Sequence, residues 1–273
     1  MKTPIFYLEG RGGMYLFHFF ILNLGGLYYI LNKNYNYRHI DSIKLNNSNL
    51  VNQPSFGISF PIKIYMQNIL LFQKEAFEII KDKFELIEDL TQISNYELIS
   101  IYGEKCNIRG TCDNPVIIYP FLRNLFLDYC KFSMIPGKRI FITRKNSESQ
   151  HGGILKRSII NEDVMINMLN KYNFEYIQLE NYSMLEKIKL FMESEIILSP
   201  HSSALVLILF LDPKTKIIEL LNKGTIPFCH HHYKDIAEHL YLNYFRYSDI
   251  SEDKNGNFNI DIDKFEYYLL NLL

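Results

Sequence analysis

Basic residues are concentrated between positions 138 and 157, where one acid, Glu148, accompanies Lys138, Arg139, Arg144, Lys145, Lys156 and Arg157. Further along the chain, His201, Ser202 and Ser203 directly precede the wholly apolar run ALVLILF (204–210). Arginine side chains and the free amides at the start of a helix are groups that proteins use to bind phosphate. The pattern therefore indicates a phosphate or diphosphate site. Two simpler interpretations stay open: a solvated basic surface, and a serine that only caps a buried helix.

The elements that would position these residues follow a regular alternation. Strands and helices are predicted in turn at 139–143, 161–172, 174–180, 183–194, 195–199, 202–211 and 216–220. Such alternation predicts a parallel sheet with right-handed crossovers. Ligands of open α/β sheets bind beyond the carboxyl ends of the strands, and Arg144 ends the first strand while Arg157 shortly precedes the first helix. Asn161 is the expected N-cap of that helix, and Asp263 is the expected cap of the last one.

The N-terminal half has a similar opening. PIFYL (4–8) is typical of a buried strand, EGRGG turns the chain, and an apolar helix follows. Residues 32–60 predict loops and short strands, and residues 62–90 show helical spacing of apolar side chains. The break comes at Pro136-Gly137. We therefore expect two α/β lobes, 1–134 and 135–273, with the option that the last helix packs back on the first lobe.

Composition excludes several classes of protein. The 273 residues include 48% hydrophobic ones and carry a formal net charge of -1, so we expect a globular chain and no nucleic-acid partner. The chain has four cysteines, Cys106, Cys112, Cys130 and Cys229, and the pair in CNIRGTC could form a disulfide. We favour isolated thiols in a reducing compartment, which indicates a cytoplasmic protein. Residues 12–31 carry no formal charge and have the length of a membrane span, so a membrane anchor there is the alternative.

Other motifs fit their chemistry poorly. GRGGMY (10–15) lacks the third glycine and the downstream acid of a dinucleotide site. Asp261-Ile262-Asp263 spells the DxD of metal-dependent sugar transferases, but a strand end and a helix cap account for both acids. His230-His231-His232 lacks a spaced second pair of ligands, so a polar loop is the simpler interpretation. No P-loop or G-x-S-x-G elbow occurs. We expect no metal and no cofactor.

Four segments of the C-terminal half, taken together, resemble glycosyltransferase family 61. They are FITR with Arg144, RSIINE with Arg157, Asn161 and Glu162, PHSSALVLILF with His201, and IIEL with Glu219. A weaker likeness covers GGMYLFHFF, where the family places a histidine that matches His18. The chain departs from the family motif PHGAG, because two family glycines are Ser202 and Ala204 here.

The resemblance implies a GT-B fold, with two Rossmann-like lobes and a cleft between them, in which 1–134 is the acceptor-side lobe and 135–273 binds the nucleotide sugar. It implies an inverting, metal-independent transfer from a nucleotide sugar, a co-substrate, to a hydroxyl of a glycan or glycoprotein. The implied donor-diphosphate ligands are Arg144, Arg157, His201, Ser202 and Ser203, which would stabilise charge on the leaving group. Glu219 would take the ribose hydroxyls, and His18 is our choice of general base.

Two alternatives stay open beside the transferase. The PHSSA departure favours a catalytically inactive relative that binds a sugar nucleotide or a glycan, since glycine allows the closest backbone approach to phosphate. An unrelated α/β binding or redox protein is the third hypothesis.

Overall fold

The computed structural model describes residues 3–9, 16–32, 37–39, 60–102, 114–130, 136–145, 158–221, 231–253 and 256–273. The chain divides into two compact units. The first comprises Met1–Asn107 and Cys112–Lys131, and the second comprises Ile108–Thr111 and Phe132–Leu273.

The first unit is built on a largely parallel sheet. Its strands are β1 (Thr3–Glu9), β2 (Tyr37–His39), β3 (Ile62–Tyr65), β4 (Phe84–Ile87) and β5 (Tyr96–Tyr102). Its helical segments are α1 (Leu16–His18), a π-helical turn (Phe19–Leu24), α2 (Gly26–Asn32), α3 (Leu71–Ile79), a 3₁₀ turn (Leu90–Gln92) and α4 (Pro115–Leu127). The strand order is β2-β5-β1-β3-β4, and only the pairing of β2 with β5 is antiparallel in the described sheet. The apolar stretch that begins at Leu16 forms the first helical segments after β1, which are α1, the π-helical turn and α2.

The expectation of continuous helix over residues 62–90 is wrong. This stretch forms β3, the nine-residue α3 and β4 in succession. Ile62, Ile64, Phe84 and Ile87 are all buried in the two short strands. In β4 the buried Phe84 and Ile87 are three residues apart, a helical spacing, while Ile62 and Ile64 of β3 alternate over too few residues to identify a strand.

The second unit is built on an all-parallel five-stranded sheet. Its strands are β6 (Lys138–Ile142), β7 (Phe174–Ile177), β8 (Ser194–Pro200), β9 (Lys216–Leu220) and β10 (Asn243–Tyr247), and β11 (Ile250–Glu252) and β12 (Phe258–Ile260) form a separate antiparallel pair. Its helices are α5 (Glu162–Asn170), a 3₁₀ turn (Leu179–Asn181), α6 (Met184–Met192), a 3₁₀ helix (Ser203–Phe210), α7 (His232–His239) and α8 (Ile262–Leu270).

The order of the main sheet is β10-β9-β8-β6-β7, with every pair parallel. The prediction that strands near 139–143, 195–199 and 216–220 share one parallel sheet is confirmed, since β8 pairs with both β6 and β9. Both units thus have the α/β character expected from the sequence, with a Rossmann-like arrangement of parallel strands and helices.

Helices cover both faces of this sheet. Alternate strand residues, such as Leu198 and Ile218, pack with Met165 of α5 and Phe265 of α8 in one buried cluster. The 3₁₀ helix contacts α6 and α7 instead. Because side chains alternate along a strand, the intervening residues Ile197, Ile217 and Glu219 face the side of α6, the 3₁₀ helix and α7. Helix α8 is thus part of the core of the second unit.

Three local details differ from the sequence-based expectations. The apolar run forms a 3₁₀ helix, and its residues 205–210 are all fully buried. A segment without a polar side has no amphipathic period, so its pattern could not reveal the helical pitch. Asp261, rather than Asp263, caps α8 by accepting from the Lys264 amide at 3.3 Å. Asn161 stands at the N-cap of α5, but its side chain makes no capping bond there.

Candidate functional site

Two predicted site residues lie at the topological switch point of the second unit. From β6 the chain crosses to β7 on one side and then returns to β8 on the other side of β6. Ligands of doubly wound sheets bind in the crevice beyond the carboxyl ends of the strands at this reversal. Arg144 lies two residues beyond the end of β6, and His201 directly follows the end of β8. The fold therefore brings Arg144 and His201 to the same edge of two neighbouring strands.

Hydrogen bonds connect the start of α5 to the end of β6. The Thr143 hydroxyl, directly before Arg144, donates to Glu162 Oε1 at 2.6 Å, and both side chains are buried. Burial raises the pKa of Glu162, against the Thr143 hydrogen bond and the charge of Lys145, which lower it. Asn161 donates to the Ile260 carbonyl at 2.7 Å and accepts from the Ile260 amide at 3.1 Å. The NE pair of the RSIINE segment thus holds the end of β6, α5 and β12 together.

His201 is held by a buried carboxylate. Its Nδ1 hydrogen-bonds to Glu219 Oε1, and Glu219 is fully buried. The other carboxylate oxygen, Oε2, accepts from the Tyr244 hydroxyl, and Arg246 Nε lies 3.4 Å from it. Arg246 Nε also donates to the Tyr244 oxygen at 3.0 Å. The ring of Tyr233 lies with its centroid 5.1 Å from that of His201.

The electrostatics of this network favour an ionised Glu219. Burial disfavours the charged carboxylate, but the hydrogen bonds from His201 and Tyr244 and the charge of Arg246 outweigh it. The pKa of Glu219 therefore lies below its usual value. Burial and the charge of Glu219 raise the pKa of Tyr244 far above its usual value. Tyr244 therefore stays protonated and donates to the carboxylate.

Ser202 offers a hydroxyl that the described protein does not use. It precedes the 3₁₀ helix as its N-cap, is 6% exposed, and makes no side-chain capping bond. Within the described part of the chain, its Oγ is buried and has no hydrogen-bond partner. The first amides of a helix also lack intrahelical partners, and Ser203 opens this one. An anion at this end of the helix would meet the hydroxyl and these amides together.

The remaining predicted site residues are separate from this edge or not described. His18 lies in the first unit, at the end of α1 before the π-helical turn, with its ring centroid 5.7 Å from that of Phe17. Arg157 lies outside the described residues, as does His230. His231 and His232 stand at the start of α7, and His232 is buried. The described residues contain no group of three side chains arranged to hold a metal ion.

Sequence reasoning missed Tyr244, Arg246 and Thr143. The strand NYFRY (243–247) was not predicted, because its side chains are mostly half-buried and its apolar residues form no simple alternation. Glu219 was found, but its contacts differ from those expected. Both of its oxygens engage protein groups in this structure, and its predicted contact with ribose stays a prediction.

Comparison with known families decides the class of the protein. The family model described as Glycosyltransferase 61 matches residues 17–218, which is more than half of the chain. The chain belongs to glycosyltransferase family 61. The matched range includes His18, Arg144 and His201 and ends one residue before Glu219. No curated protein matches the chain.

The alternative of a membrane anchor at residues 12–31 was also compared with the structure. Among the described residues, no helix has both the length and the apolar character needed to cross a membrane.

Proposed function

We propose that this family 61 protein transfers a sugar from a nucleotide-sugar donor to a hydroxyl group of a glycan or glycoprotein acceptor. Family membership supports the glycosyltransferase class. The observation that carries the donor site is the placement of Arg144 and His201 at the switch point, beside a Ser202 hydroxyl that has no partner among the described residues. In the proposed arrangement the donor diphosphate lies against these three residues.

The chemistry follows from where charge develops. As the bond to the anomeric carbon breaks, the sugar gains oxocarbenium character and the departing diphosphate gains negative charge. Arg144, His201, the Ser202 hydroxyl and the amides that open the 3₁₀ helix would meet that charge with fixed donors, so they cost little reorganisation during the reaction. Arg157, which opens the RSIINE segment, is proposed as a further ligand of the diphosphate.

The acceptor side of the proposal rests on His18. An acceptor hydroxyl must lose its proton as it attacks, and a histidine is the commonest side chain to take it. We propose His18 as this base, with single in-line displacement and therefore inversion at the anomeric carbon. A GT-B arrangement, with donor and acceptor bound to different units, is part of the same proposal. So is independence from metal, since donor charge is met by cationic side chains and amides.

A two-step experiment tests the proposal. A panel of nucleotide sugars is first screened by thermal shift, because a ligand that binds the folded state raises apparent stability. The best donor is then incubated with glycan acceptors, and released nucleotide and product anomer are measured by chromatography and proton NMR. The expected result is acceptor-dependent nucleotide release with an inverted anomer. Failure of every donor to bind or react would overturn the proposal.

The same assay separates the transferase from an inactive relative. Donor binding without nucleotide release, with any acceptor in the panel, would favour a binding protein. The matched variants are Arg144→Gln at the carboxyl end of β6 and Arg139→Gln near its amino end, where Arg139 Nε bonds Glu195 at 2.5 Å. Arg144→Gln should weaken donor binding by roughly tenfold or more, the scale of a hydrogen bond to a charged group. Arg139→Gln should leave donor affinity unchanged.

A further inference from the structure

A chain of hydrogen bonds crosses three neighbouring strands of the second unit and ends at His201. It begins with Arg246 and Tyr244 on β10, continues through Glu219 on β9, and reaches His201 after β8. His201 is the member of this chain that lies at the carboxyl edge, beside the donor site proposed above.

Strand register explains why these side chains meet. Arg246 is opposite Glu219, and Glu219 is opposite Ser199. Residues two apart on a strand project from the same face of the sheet. Tyr244 thus shares a face with Arg246, and His201, two residues after Ser199, continues the row. The contact of His201 with Tyr233 of α7 places the row on the face that α7 covers.

The burial of Glu219 is costly in itself. An ionised side chain taken out of water is stabilised only when its partners are close and well oriented, and apolar residues of similar volume often serve stability equally well. Here the acid is fully buried, and its partners fix both of its oxygens. An apolar residue in place of Glu219, however, could not hold the imidazole of His201 in one orientation with a proton on Nδ1.

We propose that Glu219 is a positioning residue for His201, and that Tyr244 and Arg246 in turn hold Glu219 ionised and oriented. This inference rests on the proposed function, because it assigns the free edge of His201 to the donor diphosphate. With Nδ1–H donated to Glu219, Nε2 points away from the carboxylate, and a second proton can reside only there. His201 then bridges the buried carboxylate and the diphosphate as an imidazolium, donating from Nδ1 to one and from Nε2 to the other.

The test uses the full-length chain with ¹⁵N-labelled histidine, and His201→Gln identifies the His201 signals among those of the eight histidines. Long-range proton–nitrogen spectra distinguish the Nδ1–H tautomer, the Nε2–H tautomer and the imidazolium. In the free protein we expect the Nδ1–H tautomer. Inorganic pyrophosphate, used as the probe, should convert His201 to the imidazolium.

Two variants address the network. In Glu219→Gln the side-chain amide can donate to Nδ1, so the Nε2–H tautomer should appear and pyrophosphate affinity should fall by about tenfold, the scale of one hydrogen bond to a charged group. Since that buried substitution could prevent folding, Tyr244→Phe is the second variant. It keeps the ring and should change the His201 Nδ1–H signal and lower pyrophosphate affinity by about threefold. The matched control is Tyr241→Phe, at a tyrosine that is 87% exposed.

The outcomes separate this inference from the proposed function. An Nε2–H tautomer in the free wild-type protein would overturn the inference, and so would His201 signals that Tyr244→Phe leaves unchanged. Either result leaves donor binding by Arg144 and Ser202 intact. If the tautomer and the variants behave as expected but donors neither bind nor react, the positioning of His201 by Glu219 stands and the proposed function fails.

Discussion

Replacing Ser202 with alanine should stabilise the free protein and weaken its hold on the donor. In the free protein the Ser202 Oγ is buried without a partner in the described chain. A buried hydroxyl without a hydrogen bond costs about 1–3 kcal/mol, so its removal should raise the free energy of unfolding by about 1 kcal/mol after some loss of packing. A hydrogen bond to a charged phosphate contributes about 1.5–3 kcal/mol, so Ser202→Ala should lower donor affinity by roughly tenfold to a hundredfold.

A neighbouring serine provides the control. Ser199 is also fully buried, but its hydroxyl donates to the Pro200 carbonyl at 2.8 Å. Ser199→Ala should therefore destabilise the protein by about 1 kcal/mol and leave donor affinity unchanged. Stability is measured by urea unfolding, and affinity by isothermal titration calorimetry with the best nucleotide sugar of the screen.

Two results would refute the reasoning about Ser202. If Ser202→Ala destabilises the protein as much as Ser199→Ala does, the hydroxyl is a structural group of the 3₁₀ helix. If Ser202→Ala stabilises the protein but donor affinity stays at the wild-type value, the unused hydroxyl does not bind the diphosphate. The sign of the change in unfolding free energy and the size of the change in donor affinity thus separate a capped core helix from a ligand site.

Three further predictions concern the frame of the site and its chemistry. Glu162→Gln keeps the acceptor for Thr143 but removes a buried charge, and the folded pKa of Glu162 is raised above its ordinary value of 4.5. Between about pH 4.5 and the raised pKa, the folded state binds more protons than the unfolded one. The free energy of unfolding of the wild type should therefore fall relative to that of Glu162→Gln as pH rises through this window, and the difference should stay level above it. Urea unfolding at several pH values measures this difference. Asn161→Ala removes both hydrogen bonds to Ile260 and should lower the free energy of unfolding by about 1–3 kcal/mol. A change near zero would mean that the contact with β12 is dispensable. Sugar transfer should proceed at the same rate in EDTA, whereas loss of activity that manganese restores would favour a metal site at Asp261 and Asp263.

The second unit was more predictable than the first for a physical reason. Its strands β8 and β9 are short, strongly apolar runs, and its helices α5 and α6 are amphipathic, so length and period agree on these elements. In the first unit, β3 and β4 have four residues each and flank α3 closely. The buried Phe84 and Ile87 of β4 have a helical spacing of three, and four residues are too few for the sequence alone to separate a strand from a helix.

The candidate site was predictable only where it depends on the order of strands and helices along the chain. Arg144 and His201 each follow a predicted strand, so parallel topology alone brings them to one edge. The contacts of Glu219 depend on the register of β9 with β8 and β10, where its partners Ser199 and Arg246 lie 20 and 27 positions away in sequence. Register is set by packing of whole strands, and no local pattern around Glu219, Tyr244 or Arg246 encodes it.

The departure of PHSSA from the family's glycine-containing motif can now be assigned to one part of the site. Ser202 has a φ of -153°, which is extended backbone that any residue adopts. A serine at this position therefore causes no backbone strain, and the fold provides no reason of its own for glycine there. What changes is the space beside the proposed diphosphate, since a hydroxyl now stands where the family motif has no side chain. The same hydroxyl is a hydrogen-bond donor without a partner in the described protein. The substitution thus exchanges close backbone approach for a side-chain donor at the start of the 3₁₀ helix, and the behaviour of Ser202→Ala measures how much of the donor affinity that exchange supplies.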